Sequence, residues 1–274
     1  MSFLSSKSRV LVNVLGIPSI LSIIYFGDDL KSIPIYSLFV TIVSVLAIYE
    51  WHNLAKIKNV AIKCLDFISV LLCVLIFYMQ YPFEYLLLLI IIHTFIAIIS
   101  EIFKSFSNPI NDISLSLLGL IWVGCFIGSL ILVRSSVDGL TLTLMMILSI
   151  WICDTFAYVF GGSYGVRKIA PSISPNKTWF GSMAGFLGSF IVPMIIYCYF
   201  PLNGFSIIDY IIFGLIFGIL GQLGDLSISI LKRQADIKDT SNILKGHGGI
   251  LDRFDSLAFA SPLFYIILYI RNLI

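Results

Sequence analysis

Nine apolar runs divide this chain of 274 residues, at about 10–27, 33–50, 62–80, 84–100, 113–133, 139–160, 181–200, 207–224 and 254–273. Each approaches the ~20 residues that an α-helix needs to cross about 30 Å of hydrocarbon. The third and fourth are separated only by a short turn at Tyr81-Pro82. A soluble fold has no room for such runs, because its interior volume is limited by chain length. The chain is 59% apolar and 12% charged, against about 25% charged in soluble domains. Lipid as solvent removes the limit. The pattern predicts an all-α, polytopic integral membrane protein of about nine transmembrane helices.

Orientation follows from the cations between the runs, since cytoplasmic loops are enriched in Lys and Arg. With the N-terminus in the cytoplasm, Lys7, Arg9, Lys56, Lys58, Lys63, Lys104, Arg167, Lys168, Lys177, Lys232, Arg233, Lys238, Lys245 and Arg253 fall inside. Only Lys31, Arg134 and Arg271 fall outside. Lys7 and Arg9 ahead of the first run resemble the start of a signal peptide, but Asp28 and Asp29 follow where a small-residue cleavage site would stand, so the run reads as a retained span. No separate soluble domain, low-complexity tail or repeat is visible. The reading is one membrane domain over 1–274, with N-terminal spans at about 1–133 and a catalytic half at about 139–274.

A net charge of +2 argues against a nucleic-acid partner. The five cysteines, Cys64, Cys73, Cys125, Cys153 and Cys198, are odd in number, lie mostly inside apolar runs and show no metal-ligand spacing. They read as small packing residues.

Three carboxylates, Glu50, Asp154 and Asp225, lie within or at the ends of apolar runs. An acid at the centre of a span costs roughly 2.5–3.5 kcal/mol, so such groups usually have a partner or a function. The topology puts all three at cytoplasmic helix ends, where the headgroup region would lower the cost. Glu50 precedes Trp51, which favours the interface, and is the weakest of the three. Gly214, Gly218, Gly221 and Gly224 share one face of the eighth run. They suit close helix packing and would bring Asp225 near a neighbouring helix.

The stretch from Asp225 to Asp255 holds ten charged residues, five of each sign. A membrane-surface patch would be cationic only. Mixed signs suit a site that holds phosphates together with a divalent cation. Asp225, Ser229 and Lys232 are spaced to share one helix face. The Gly246-His247-Gly248-Gly249 turn lets backbone N–H groups approach an anion. Asp252 and Asp255 stand three apart at the start of the last helix, and carboxylates with phosphate oxygens are what Mg²⁺ prefers. Each feature has a plain structural use when taken singly: the two acids complement a helix N-terminus, and Lys232 and Arg233 serve as positive-inside anchors. Upstream, Ser174-Pro175-x-Lys177-Thr178 presents two hydroxyls and an ammonium just before a helix. That is a natural anion site, or an ordinary capped turn. It lacks the glycine spacing of a Walker loop.

Ser229-x-x-Lys232-Arg233, then Lys238-Asp239-x-Ser241, then His247-Gly248-Gly249-x-x-Asp252-Arg253-x-Asp255 resembles the signature of the phosphatidate cytidylyltransferases, or CDP-diacylglycerol synthases. Asp154-x-x-Ala157-Tyr158, the Ser174 to Thr178 turn, Gly224-Asp225-Leu226 and Glu50-Trp51 resemble further family features, in the family's order. Lys245, Phe180 and Ile228 stand where the family usually has Pro or Gly, Glu, and Glu.

The resemblance implies that CTP and phosphatidate are converted to CDP-diacylglycerol and pyrophosphate at the cytoplasmic face of the bacterial inner membrane. It assigns catalysis to Asp225, Lys232, Arg233 and Asp252. It assigns substrate phosphates to Ser174, Lys177, Thr178, Ser229, Lys238, Asp239, His247 and Arg253. Mg²⁺, with room for a second cation, falls to Asp225 and Asp252, with Asp255 and Asp154 nearby. Membrane lipid is the further partner, and a homodimer is compatible with the reading. Two other functions fit parts of the pattern: a CTP-dependent polyprenol or phytol kinase, and a secondary transporter built on intramembrane acids.

Overall fold

Backbone polar groups have no water to bond with in hydrocarbon, so a spanning segment must satisfy them internally, as a helix does. The computed structural model is accordingly helical along most of its length and describes residues 16, 18–27, 34–103, 108–241, 243 and 248–272. Among the described residues eight helical stretches are long and apolar enough to cross a membrane: Ile35–Leu54, Val60–Tyr78, Phe83–Ile102, Pro109–Ser135, Gly139–Tyr164, Trp179–Tyr199, Ile207–Gln234 and Leu251–Arg271. Of the first expected span, 10–15 and 17 lie outside the described residues. Its described part, α1, is helical over 18–26. The third and fourth expected spans are separate helices, with Gln80 turning the chain between them at a φ of 53°.

The chain divides into two compact units. The first comprises Met1–Leu132 and Ala235–Arg253. In it α2 (Ile35–Leu54) packs on α3 (Val60–Tyr78), α3 on α4 (Phe83–Ile102), and α4 on α5 (Pro109–Gly119). A π-helical stretch, Leu120–Ile127, continues α5, packs on α2 and α3, and leads into α6 (Gly128–Ser135). Trp51 is buried between these helices and donates its indole N–H to the Leu115 carbonyl at 2.9 Å. Gly119 makes room for it, since a Cβ there would lie 2.6 Å from the indole nitrogen.

Several buried polar groups inside this unit pair with one another, which avoids the several kcal/mol that an unpaired one costs in an apolar interior. Asp66 on α3 is fully buried, and His52 Nε2 of α2 lies 2.8 Å from its Oδ2. The Ser116 hydroxyl donates to Asp66 Oδ1 and lies 2.9 Å from His93 Nε2, while His93 Nδ1 lies 2.9 Å from the Ser69 hydroxyl. Asn59 caps α3 and donates its side-chain amide to Glu101 at 2.5 Å.

The second unit comprises Val133–Gln234 and Phe254–Ile274. Its long helix α7 (Gly139–Tyr164) is followed by an antiparallel hairpin, β1 (Lys168–Ala170) and β2 (Ser174–Thr178), in which Lys168 pairs with Thr178 and Ala170 with Ser174. This hairpin is a small departure from an all-α chain. The sixth inter-helix connection is thus ordered by strand pairing. The seventh apolar run is broken into α8 (Trp179–Gly188) and α9 (Ile191–Tyr199). At the break the Ser189 hydroxyl donates to the Gly214 carbonyl of the neighbouring helix at 2.8 Å. Small residues let α7 and α8 touch: a Cβ on Gly181 or Gly185 would come within 2.6 Å of a carbonyl oxygen of α7.

Helix α10 (Ile207–Gln234) continues ten residues beyond its apolar run, which ends at about 224, and so carries Asp225, Ser229 and Lys232 on one helix. The added turns, Asp225 to Gln234, contain no Gly or Pro to break them. The chain turns at Asp236, whose φ is 60°. The last helix, α11 (Leu251–Asn272), begins in the first unit and continues through the second.

Candidate active site

In the second unit a cavity of about 470 Å³ is lined by α7, the hairpin and α10, with Asp154, Tyr158, Lys168, Lys177, Gln222 and Asp225 among its wall residues. Lys177 enters from β2, and its ammonium sits 2.6 Å from Asp225 Oδ2 on α10. Both side chains keep part of their surface open, 27% and 37%. The pair is therefore reachable by a ligand. The Ser229 hydroxyl, one turn along α10, donates to Asp225 Oδ1 at 3.4 Å.

Three acids act on one another here. Asp225 repels both Asp154 and Asp255, and Asp154 also repels Asp255. Lys177 counters Asp154, and Lys232 counters Asp255. Asp255 is buried, and its Oδ1 accepts the Ser256 backbone N–H at 2.7 Å. Its closeness to α10 has a simple cause. Gly224 presents bare backbone to α11, where a Cβ would lie 2.4 Å from the Asp255 carbonyl oxygen. The glycine face does bring Asp225 up to a neighbouring helix. Gly214 and Gly218 meet Phe190, Phe186 and Ser189 on its other contacts.

The hairpin is tied to the same helix. Arg233 donates its Nε–H to the Ile173 carbonyl at 3.0 Å. Ser174 opens β2. Thr178 is buried at the end of β2, and its hydroxyl oxygen accepts the Gly181 N–H at 3.2 Å, which caps α8. The hydroxyl expected to meet a phosphate is at the helix N-terminus the sequence indicated, working as the cap.

In the first unit Ser241 and Gly249 of the signature, with Thr240, Ile250 and Leu251, gather around a different acid. Glu50, at the end of α2, is fully buried. Its Oε1 accepts the Ser241 hydroxyl at 2.5 Å and the Ile250 N–H at 2.8 Å. Its Oε2 accepts the Thr240 hydroxyl and the Leu251 N–H, both at 2.9 Å. Asp252 Oδ2 accepts the Thr240 and Gly249 N–H groups at 2.9 and 3.0 Å and stands 3.0 Å from the Thr240 hydroxyl. Gly248 has a φ of 79°, and a Cβ on Gly249 would lie 2.0 Å from the Thr240 hydroxyl. Both glycines are demanded by this turn.

Of the expected site residues, Asp154, Ser174, Lys177, Thr178, Asp225, Ser229, Lys232, Arg233 and Asp255 belong to the second unit, and Lys238, Asp239, Asp252 and Arg253 to the first. Lys238, Asp239 and Arg253 are exposed. His247 lies outside the described residues. Sequence reasoning ranked Glu50 last among the intramembrane acids and gave Thr240 and Gln222 no role. The signal for Glu50 was present as a carboxylate in an apolar run. For Thr240 and Gln222 there was none, because their significance comes only from what they face.

Among the described residues no three His, Cys, Asp or Glu side chains converge into a ready-made metal site. The Asp154, Asp225 and Asp255 group offers oxygen donors with mutually repelling charge. That donor chemistry fits Mg²⁺, which commonly takes one or two carboxylates from a protein and completes its shell with water and substrate phosphates.

Residues 7–271 match the model of the cytidylyltransferase family. A protein of Staphylococcus epidermidis named phosphatidate cytidylyltransferase is 34% identical over 266 residues, 96% of this chain and 98% of its own length. One of the same name from Staphylococcus haemolyticus is 33% identical over 266 residues, with the same two coverages. Another, from Staphylococcus aureus, is 34% identical over 268 residues, again 96% and 98%.

Proposed function

The chain belongs to the cytidylyltransferase family, and from that premise we propose that it transfers the cytidylyl group of CTP to phosphatidate, giving CDP-diacylglycerol and pyrophosphate. The carrying observation is the Lys177–Asp225 pair on the wall of an open cavity, in a chain whose relatives along nearly their whole length bear the matching name. Those relatives favour this reading over a lipid-alcohol kinase or a transporter.

A phosphate oxygen of phosphatidate forms a bond to the α-phosphorus of CTP, and the bond from that phosphorus to the bridging oxygen breaks. Pyrophosphate departs with the electron pair. The attacking oxygen is already anionic at neutral pH, so no general base is required. What the protein supplies is positioning and charge complementarity, as in other phosphoryl transfers. Lys177 exchanges Asp225 for a phosphate when substrate enters. Lys232 and Arg233, at the end of α10, and Lys238 and Arg253 hold further phosphate charge. Ser174 and Ser229 orient phosphate oxygens by hydrogen bonds.

Mg²⁺ is the proposed cofactor, held by Asp225 and Asp255 with Asp154 beside them, and it would neutralise charge on the triphosphate. Asp252, the other acid proposed for catalysis, accepts the Thr240 and Gly249 N–H groups. The positive-inside bias supports nine spans, a cytoplasmic N-terminus and a site facing the cytoplasm at the bacterial inner membrane. The acyl chains then stay in lipid while CTP arrives from water.

The test is purified protein with CTP, phosphatidate and Mg²⁺. Formation of CDP-diacylglycerol with equimolar pyrophosphate is the expected result. Release of CDP instead, or no consumption of CTP, overturns the proposal.

A further inference from the structure

We infer that Glu50 is a positioning residue for cytidylyl transfer: its carboxylate latches the signature segment onto α2 and so sets the geometry of Asp252. The inference rests on the functional reading above, since it assigns residues 240–252 to that reaction.

An ionised carboxylate offers about four lone-pair sites. At Glu50 all four hydrogen bonds come from one stretch of chain: two hydroxyls, Ser241 and Thr240, and two backbone N–H groups, Ile250 and Leu251. The two amides are at the start of α11, where N–H groups lack helical partners. A carboxylate there satisfies them and complements the helix dipole. The residue doing so comes from a different helix, some 200 positions earlier in the chain. A local cap would order only its own turn. Glu50 instead pins both ends of the 240–251 segment to one point.

Thr240 extends the link to Asp252. Its hydroxyl lies 2.9 Å from Glu50 Oε2 and 3.0 Å from Asp252 Oδ2. Its single proton serves one carboxylate at a time, and with the proton on Glu50 the link to Asp252 is kept by the Thr240 backbone N–H at 2.9 Å. Asp252 also accepts the Thr240 and Gly249 N–H groups. Glu50, Thr240 and Asp252 are therefore one connected unit, and the position of Asp252 depends on a residue that need not touch substrate.

Glu50→Gln keeps the shape and removes the charge. Its NH₂ group would face the Leu251 N–H, donor against donor, so the latch opens on one side. Glu50→Asp keeps the charge but shortens the reach, and should recover part of the loss. Trp51→Phe, the neighbouring residue on α2, loses the bond to Leu115 and serves as a control for general damage to the helix.

Two readouts decide the matter. In hydrogen–deuterium exchange, the peptide containing Ile250 and Leu251 should exchange about tenfold faster in Glu50→Gln than in wild type. In steady-state assays normalised to folded protein, kcat should fall about tenfold or more with KM values for CTP and phosphatidate within about threefold. Trp51→Phe should lower the melting temperature and change neither readout. Thr240→Val should lower kcat, and the Glu50→Gln/Thr240→Val double variant should be no worse than Glu50→Gln alone, because connected residues are non-additive.

Unchanged exchange or unchanged kcat in Glu50→Gln overturns the inference, as does strict additivity in the double variant. If Glu50→Gln does not fold, Thr240→Val with wild-type kcat overturns it equally. A wild type that protects these amides yet makes no CDP-diacylglycerol overturns the functional reading and leaves the latch standing.

Discussion

Replacing Gly224 by Ala tests how the acidic site is assembled. A Cβ on Gly224 would lie 2.4 Å from the Asp255 carbonyl oxygen and 2.8 Å from Phe259 Cβ. Both are parts of α11 that cannot swing away. Real Cβ atoms keep at least 3.0 Å, so the two helices must part by about 0.6 Å at this point. Overpacking of this kind costs about 1–3 kcal/mol in stability. The same shift moves Asp225, the next residue, away from Asp255. A misplacement on the order of 1 Å costs on the order of 10²-fold in rate, so this smaller one should lower kcat by about tenfold.

Gly221→Ala is the matched control. It is one turn away on the same helix, yet the nearest atom to its Cβ would be 3.6 Å off, an ordinary contact. Alanine favours a helix over glycine by up to about 1 kcal/mol, so this variant should be as stable as wild type or more so. The assays are CDP-diacylglycerol formation at saturating CTP and thermal melting in detergent. A Gly224→Ala protein as active and as stable as Gly221→Ala would refute the close-approach argument.

Lys177→Met removes the cation opposite Asp225 and Asp154 and should lower kcat by about 10²–10³-fold, as loss of one electrostatic group does at other sites. Its melting temperature should barely move, because a partly exposed ion pair contributes about 1 kcal/mol or less. Larger unfolding than catalytic loss would contradict a role on substrate. Asp66→Ala leaves His52 and Ser116 without their acceptor in a sealed interior and should destabilise the fold by about 3–5 kcal/mol; the rate per folded molecule should stay near wild type. Removing divalent cations with a chelator should stop turnover and readdition of Mg²⁺ should restore it, since two polyanions must be brought together; full activity in chelator would remove the metal from the mechanism.

The helical membrane class was legible in the sequence because apolar runs of crossing length admit few other folds. So was the spacing that puts Asp225 and Ser229 on one face, since a single helix decides such things locally. The glycine face of α10 was also readable as a packing surface. Helix α10 outlasts its apolar run by ten residues, as the shared face of Asp225, Ser229 and Lys232 requires, because hydropathy falls at Asp225 while helix propensity does not. The break between α8 and α9 and the hairpin at Lys168–Thr178 carried no comparable signal.

What only the tertiary structure decided is which partners the buried polar groups find. Glu50 looked like an interfacial acid beside a Trp, and its worth lies in four donors far along the chain. His52, Asp66 and His93 look unrelated in sequence and share one buried network. Lys177 and Asp225 are both candidates on sequence, but only the fold pairs them at 2.6 Å on the cavity wall. The physical reason is the same in each case. Hydrophobic burial and helix formation depend on local pattern, which a sequence displays. A hydrogen bond or an ion pair depends on where two distant backbones meet, and that is set by packing at glycines such as Gly119 and Gly224.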